Sequence, residues 1–175
     1  DPQRNPFPTP SGKVEIYSQR LVDLDDPEIP PIPKYIEAKE TRRSSLAKKY
    51  PLELITTHFR NRALSQFDNI PWLKELGGQE LWISSEDAAA RDISEGEMLR
   101  VFNDRGELLI RAKVTERITS GVVNIPQGAW YNPDENGLDT GSCANVLTSE
   151  EYSPVGAFHF NTNLVEVEKY RGQVG

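Results

Sequence analysis

The stretch Met98-Leu99-Arg100-Val101-Phe102-Asn103-Asp104-Arg105-Gly106-Glu107-Leu108-Leu109-Ile110-Arg111-Ala112-Lys113-Val114-Thr115 decides the fold. In its second half Leu108, Ile110, Ala112 and Val114 share one face of an extended chain, and Arg111, Lys113 and Thr115 share the other. That period of two is the mark of a half-buried strand. Asn103-Asp104-Arg105-Gly106 carries turn chemistry, so 98–102 and 107–115 predict a β-hairpin. Upstream, Ser94-Glu95-Gly96 turns the chain into the hairpin, and Leu81-Trp82-Ile83 reads as a strand. Between them a short helix is expected. Ser84 or Ser85 can cap it, Glu86 and Asp87 complement the positive end of its dipole, and Ala88 to Ala90 propagate it until about 91–93.

Further out the same texture continues. Leu52 to Thr57 reads as a strand, Gly121 precedes another at Val122 to Pro126, and Leu164-Val165-Glu166-Val167-Glu168 is the last apolar alternation. Many short strands with Gly and Pro turns and little helix predict a mainly β fold closed into a small barrel, because closure removes exposed strand edges. Periodicity leaves the kind of barrel open.

The first fifty residues differ in character. They are proline-heavy, with PEIPPIP at 27–33, and such backbone favours extended conformations over helix. Lys13 to Tyr17 alternates after a Pro-Ser-Gly turn and predicts a short strand. Asp1 to Tyr50 is read as an extended arm lying against something, with a disordered linker as the alternative. Residues 51–171 are read as the barrel and 172–175 as a tail. The chain opens Asp1-Pro2-Gln3-Arg4 without an initiator methionine, and an excised piece of a larger protein is expected.

The chain has 175 residues, 37% hydrophobic and 27% charged, which is enough apolar material for a core. It holds no uninterrupted apolar run of membrane-spanning length and no secretory leader pattern, so no direct membrane insertion is expected. One cysteine, Cys143, and two histidines cannot fill a structural zinc site. A net charge of -7 argues against nucleic acid as a partner. An anionic ligand would need a local concentration of cations and oriented dipoles. Hydrolytic catalysis finds no support either, since no Gly-x-Ser-x-Gly elbow, P-loop or Gly-x-Gly-x-x-Gly occurs.

Several phrases then occur in order. They are Phe7-Pro8-Thr9-Pro10-Ser11-Gly12-Lys13-Val14-Glu15-Ile16-Tyr17-Ser18, Thr56-Thr57-His58, Trp82-Ile83 with the Asp87-Ala88-Ala89 helix, and Gly96. After these come Asn103-Asp104-Arg105-Gly106, Gly128-Ala129-Trp130-Tyr131, Asn145-Val146-Leu147-Thr148 and Asn161-Thr162-Asn163-Leu164-Val165. The series resembles the C-terminal end of the molybdopterin oxidoreductases of the dimethyl sulfoxide reductase family, over almost the whole chain. The resemblance implies a six-stranded double-psi β-barrel that binds molybdopterin guanine dinucleotide. It implies that the arm belongs to the preceding domain of the intact subunit. It also implies that the cofactor's dithiolenes and a side chain from an earlier domain hold the molybdenum, so this chain supplies no catalytic residue and no metal ligand. Alone it is expected to lack the cofactor and not to turn over.

The family's loop after the first barrel strand contacts pterin and pyrophosphate, which makes Thr57, His58, Arg60, Arg62 and Ser65 candidates here; arginine's planar fork suits phosphate. Leu64 stands where relatives often carry histidine. In Gly128-Ala129-Trp130-Tyr131, Trp130 is assigned to packing and Tyr131 to the ligand. Asn145 offers donor and acceptor to a pterin or guanine edge, or equally to a backbone turn. Asn161 and Thr162 fall where the family's polar contacts occur, whereas His159 and Cys143 are not assigned to the ligand.

The implied parent reduces an S-oxide or N-oxide in anaerobic respiration. Its implied partners are the remaining domains of its own subunit, an iron–sulfur electron-transfer subunit and a membrane anchor subunit, in a membrane-associated complex whose catalytic subunit is exported. The alternatives are a related molybdoenzyme acting on formate or another oxyanion, and a double-psi barrel serving protein interaction.

Overall fold

Among the residues described by the computed structural model (1, 3–152 and 156–172), the strands are β1 (Leu52–Ile55), β2 (Glu80–Ile83), β3 (Met98–Phe102), β4 (Glu107–Val114), β5 (Val122–Asn124) and β6 (Asn163–Lys169). They close into a barrel in the order β1-β5-β2-β4-β3-β6. β3 and β4 make the expected hairpin, with Leu99 opposite Ile110 and Val101 opposite Leu108. β1 runs parallel to β5 and β2 parallel to β4, while the remaining neighbours are antiparallel. β5 therefore threads between β1 and β2, as a double-psi barrel requires.

Alternation fills the interior. Leu52 and Leu54, Leu81 and Ile83, Leu99 and Val101, Leu108, Ile110 and Ala112, Val123, and Val165 and Val167 form one buried cluster, and Val114 packs against it. Leu109 points the other way yet is also buried. Its N–H donates to the Asp139 carbonyl at 2.8 Å, and Ser142 Oγ donates to the Leu109 carbonyl at 2.5 Å, so a later loop covers it.

The expected helix forms as Ser85–Ala90, labelled α3 in chain order after α1 (Gln19–Leu24) and α2 (Pro71–Lys74). Ser84 is its cap: the Asp87 N–H donates to Ser84 Oγ at 3.0 Å, and the Ser84 hydroxyl donates back to Asp87 Oδ2 at 2.7 Å. Asp87 also accepts from the Gly121 N–H at 2.6 Å, which ties the helix to the start of β5.

Two units separate in the chain. One comprises 1–37 with 154–157, and the other 38–153 with 158–175. In the first, α1 was not anticipated, and the strand expected at Lys13 to Tyr17 does not form. Val14 and Ile16 are 69% and 76% exposed, and among the described residues no strand pairs with them. Alternation without a partner cannot make a sheet.

In the second unit, residues 38–50, read from sequence as part of the arm, group with the barrel. Glu40 forms an ion pair with Arg105 and accepts the Leu164 N–H at 2.9 Å, while the Tyr50 hydroxyl donates to Asp104 at 2.7 Å. Of the tail, 173–175 lie outside the described residues.

Ile110, 1% exposed, sits in the hairpin's inner row. Ile110→Ala is expected to cost about 2–5 kcal/mol in urea unfolding. A loss below about 1 kcal/mol would place this residue outside the core.

Candidate functional site

Strand direction decides where the connections go. β1, β3 and β5 run one way and β2, β4 and β6 the other. The segments 56–79 and 103–106, the stretch that leaves β5 and the stretch that enters β6 therefore all lie at one rim of the barrel. Helix α3 and the segment 115–121 emerge at the opposite rim. Thr57, His58, Arg60, Arg62 and Ser65 lie in the first rim connection, and Tyr131, Asn145, Asn161 and Thr162 lie in the long one.

The first connection is locked onto the segment that follows β5. The Gln127 N–H donates to the Thr57 carbonyl at 2.9 Å, and Gln127 Nε2 lies 3.0 Å from His58 Nδ1. The Trp130 indole N–H donates to the Ser65 carbonyl at 2.7 Å. At Gly128, with φ +96, an added Cβ would lie 1.9 Å from the Leu64 carbonyl oxygen, so only glycine permits this approach. Leu64 itself has φ 55 and is 61% exposed.

Arg62 differs from the other candidates, which are all exposed. Its side chain is only 6% accessible and pairs with Asp68 at 2.6 Å. Its second terminal nitrogen donates to Gln79 Oε1 at 2.6 Å and to the Gln127 carbonyl at 3.1 Å, and its guanidinium lies 4.3 Å from the Phe59 ring centre. Arg60 is exposed and has no hydrogen-bond or ion-pair partner among the described residues. Thr57 donates its backbone N–H to Asn124 Oδ1 at 3.2 Å.

In the long connection Trp130 and Tyr131 are 50% and 57% exposed, so both aromatic faces are available at the rim. Asn161 Oδ1 accepts the Thr56 N–H at 2.6 Å, joining the approach to β6 to the end of β1. Asn145 is exposed on a single 3-10 turn, Ala144–Val146, and its carbonyl accepts the Thr148 hydroxyl at 3.3 Å. Thr162 lines a small polar recess of about 120 Å³ with Lys39, Glu40, Arg105, Ser149, Glu151 and His159.

Three side chains that organise this rim, Asp139 and Asn163 buried and Gln79 half-buried, were not singled out in the sequence. Asp139 accepts the N–H groups of Asn132 at 2.8 Å, Gly141 at 2.9 Å and Cys143 at 2.6 Å. Asn163 accepts the Ser149 N–H at 2.7 Å and donates to the His159 carbonyl at 3.0 Å. Gln79 donates to the Pro126 carbonyl at 2.5 Å and to the Ser142 carbonyl at 3.3 Å. Asn163 had a legible signal, since it shares the inward period of Val165 and Val167. Asp139 and Gln79 sit in irregular backbone, where no period exists to reveal them.

Burial pushes the Cys143 thiol above its usual range, with the Asp139 carboxylate adding to the rise and the neighbouring N–H groups opposing it. A raised pKa leaves less thiolate at a given pH. Cys143 is therefore expected to react with iodoacetamide at pH 8 at least tenfold more slowly in the folded chain than in the urea-unfolded one; equal rates would contradict its burial. Gly128→Ala is expected to destabilise the chain by about 1–3 kcal/mol and to shift the Trp130 indole proton resonance. A neutral effect on both would show that the two loops are not held by this approach.

A model of the family described as "Molydopterin dinucleotide binding domain" matches residues 52–160. The chain is 47% identical over 177 residues to the dimethyl sulfoxide reductase DmsA of Escherichia coli (strain K12), covering 97% of this chain and 22% of that protein. It is 37% identical over 186 residues to a dimethyl sulfoxide/trimethylamine N-oxide reductase of Cereibacter sphaeroides, covering 98% and 22%. The chain thus spans about a fifth of the length of these curated relatives. Among solved structures it matches acetylene hydratase from Pelobacter acetylenicus with a TM-score of 0.78 at 24% identity, over 93% of this chain and 24% of that one, a likeness of fold.

Proposed function

Because the chain belongs to the molybdopterin dinucleotide-binding domain family, we propose that the barrel rim bearing its two long connections holds a molybdopterin guanine dinucleotide. The observation that carries this reading is topological. Threading β5 between β1 and β2 delivers every candidate residue to one rim, and all but Arg62 are exposed there.

The donor set fits such a ligand. Its pyrophosphate is anionic, and its pterin and guanine present flat faces and hydrogen-bonding edges. The rim offers the unpaired guanidinium of Arg60, the side-chain hydroxyls of Thr57, Ser65 and Thr162, and the imidazole of His58. Tyr131 adds a phenol, and Asn145 and Asn161 add amides. Arg60 is assigned to the pyrophosphate, where a planar fork can donate twice. Tyr131 presents a ring face to a heterocycle, while Trp130, its indole N–H bonded to the Ser65 carbonyl, packs the two loops together. When bound, the group supplies the metal centre through its dithiolene sulfurs, and no residue of this chain ligates the metal.

In this reading the chain is the C-terminal part of a larger catalytic subunit that reduces an S-oxide or N-oxide. The names of its relatives, dimethyl sulfoxide reductase and dimethyl sulfoxide/trimethylamine N-oxide reductase, support that substrate class. Residues 1–37 pack with the preceding domain of that subunit. Electrons arrive from an iron–sulfur subunit, and a membrane anchor holds the complex with its catalytic subunit exported. This part alone is isolated without the cofactor and does not turn over.

Arg60→Ala in the intact subunit is expected to lower co-purified molybdenum and guanine several-fold, with the fold and secretion of the subunit unchanged. Molybdenum and guanine contents equal to those of the unmodified subunit would contradict the assignment.

A further inference from the structure

Two arginines stand two positions apart in the first rim connection, and the structure gives them different work. Arg60 is exposed and unpaired among the described residues. Arg62 is buried against Asp68, whose side chain is itself only 10% accessible. Asp68 uses its other oxygen to accept the Trp130 backbone N–H at 3.1 Å, and that oxygen lies 3.8 Å from Lys74 Nζ.

Gln79, directly before β2, completes the group. Its carbonyl oxygen accepts from Arg62 and its amide nitrogen donates to the Pro126 and Ser142 carbonyls. The cluster therefore touches the loop after β1, the entry to β2, the segment after β5 and the turn at Ser142. These segments carry Ser65, Tyr131 and Asn145. Around the cluster lies a recess of about 160 Å³ lined by Phe59, Asn61, Phe67, Leu73 and Ala129 as well as Arg62. Arg62 Nε is buried without a partner.

We propose that Asp68 and Gln79 are positioning residues of the rim: with Arg62 they form an internal clasp that fixes the ligand-facing loops against one another. Asp68 also neutralises Arg62 in place, leaving Arg60 as the cation that an incoming pyrophosphate meets. The proposal rests on the reading of the rim as a dinucleotide site for its second half only. The clasp itself is a property of the chain without ligand.

Replacing Arg62 would remove the hydrogen bonds of the clasp and its positive charge together, so the two contributions are separated at Gln79 and Asp68. Gln79→Ala removes three contacts without creating an unpaired charge. Asp68→Asn keeps the shape and a hydrogen-bonding oxygen but uncovers the charge of Arg62. Both loosen the same loops, and only the second changes the electrostatics.

The test uses the 175-residue chain and these two variants. Amide hydrogen exchange of the unliganded chain is followed at Trp130 and Gln127, with Leu54 and Ile110 as core references. Both variants are expected to accelerate exchange at Trp130 and Gln127 at least tenfold while Leu54 and Ile110 keep their protection. Unchanged exchange at Trp130 in both overturns the clasp.

Guanosine diphosphate is then titrated at rising salt. Asp68→Asn is expected to make its binding fall more steeply with salt than in the unmodified chain, and Gln79→Ala to weaken it with an unchanged salt slope. A purely structural role for Asp68 predicts the unchanged slope in both variants and overturns the neutralising role. No binding of guanosine diphosphate by the unmodified chain counts against the dinucleotide reading, and the exchange result then decides the clasp by itself.

Discussion

The passage of β5 between β1 and β2 is the constraint on which the rest of the molecule depends. A strand inserted there, parallel to β1 and antiparallel to β2, makes β1 and β5 run one way and β2 the other. Both long connections must then begin or end at the same rim, however their sequences vary. The opposite rim is left with α3 and a short crossover, where Asp87 secures the helix to the start of β5. Fold and candidate site thus both follow from strand order: the apolar rows inside the barrel hold the scaffold, and the irregular backbone outside it carries the proposed ligand-facing residues.

Irregular backbone needs partners for its N–H and C=O groups, and at this rim buried polar side chains provide them. Asp139 gathers the N–H groups of Asn132, Gly141 and Cys143; Asn163 gathers Ser149 and His159; Asn103 donates to the carbonyls of Leu147 and Leu164. Two arginines join them, each matched by a carboxylate: Arg62 by Asp68, and Arg105 by Glu40. Arg105 also donates to the Leu147 carbonyl at 2.9 Å. The net charge of -7 is therefore compatible with an anion-facing rim, because several of the acids nearest to it are turned inward onto backbone or guanidinium groups. What remains outward there includes Arg60, unpaired among the described residues, and a set of neutral polar and aromatic groups.

The sequence was most legible where period and capping coincide. Leu108 to Val114 announced a strand, the Asn103 to Gly106 turn announced its hairpin, and Ser84 with Asp87 announced α3. The closed barrel followed from the number of short strands, whereas its double-psi threading came from the family resemblance, since no local pattern encodes strand order. Lys13 to Tyr17 shows the limit of alternation, which becomes a strand only when a neighbour offers hydrogen bonds. Residues 38–50 show another limit, because the contacts of Glu40 and Tyr50 are made with residues far along the chain. At the rim the residue types were readable but their division of labour was not. Arg60 and Arg62 look alike in sequence, and only the fold brings Asp68 and Gln79 to one of them.

In the proposed function the two long rim connections face the dinucleotide. A density map of the intact, cofactor-loaded subunit tests it most directly. The expected result is dinucleotide density at this rim, with a pyrophosphate oxygen within hydrogen-bonding distance of Arg60 and a heterocycle edge or face against Tyr131 or Asn145. Density for the dinucleotide that leaves 57–66 and 128–131 untouched, or that lies against the α3 rim, would contradict it.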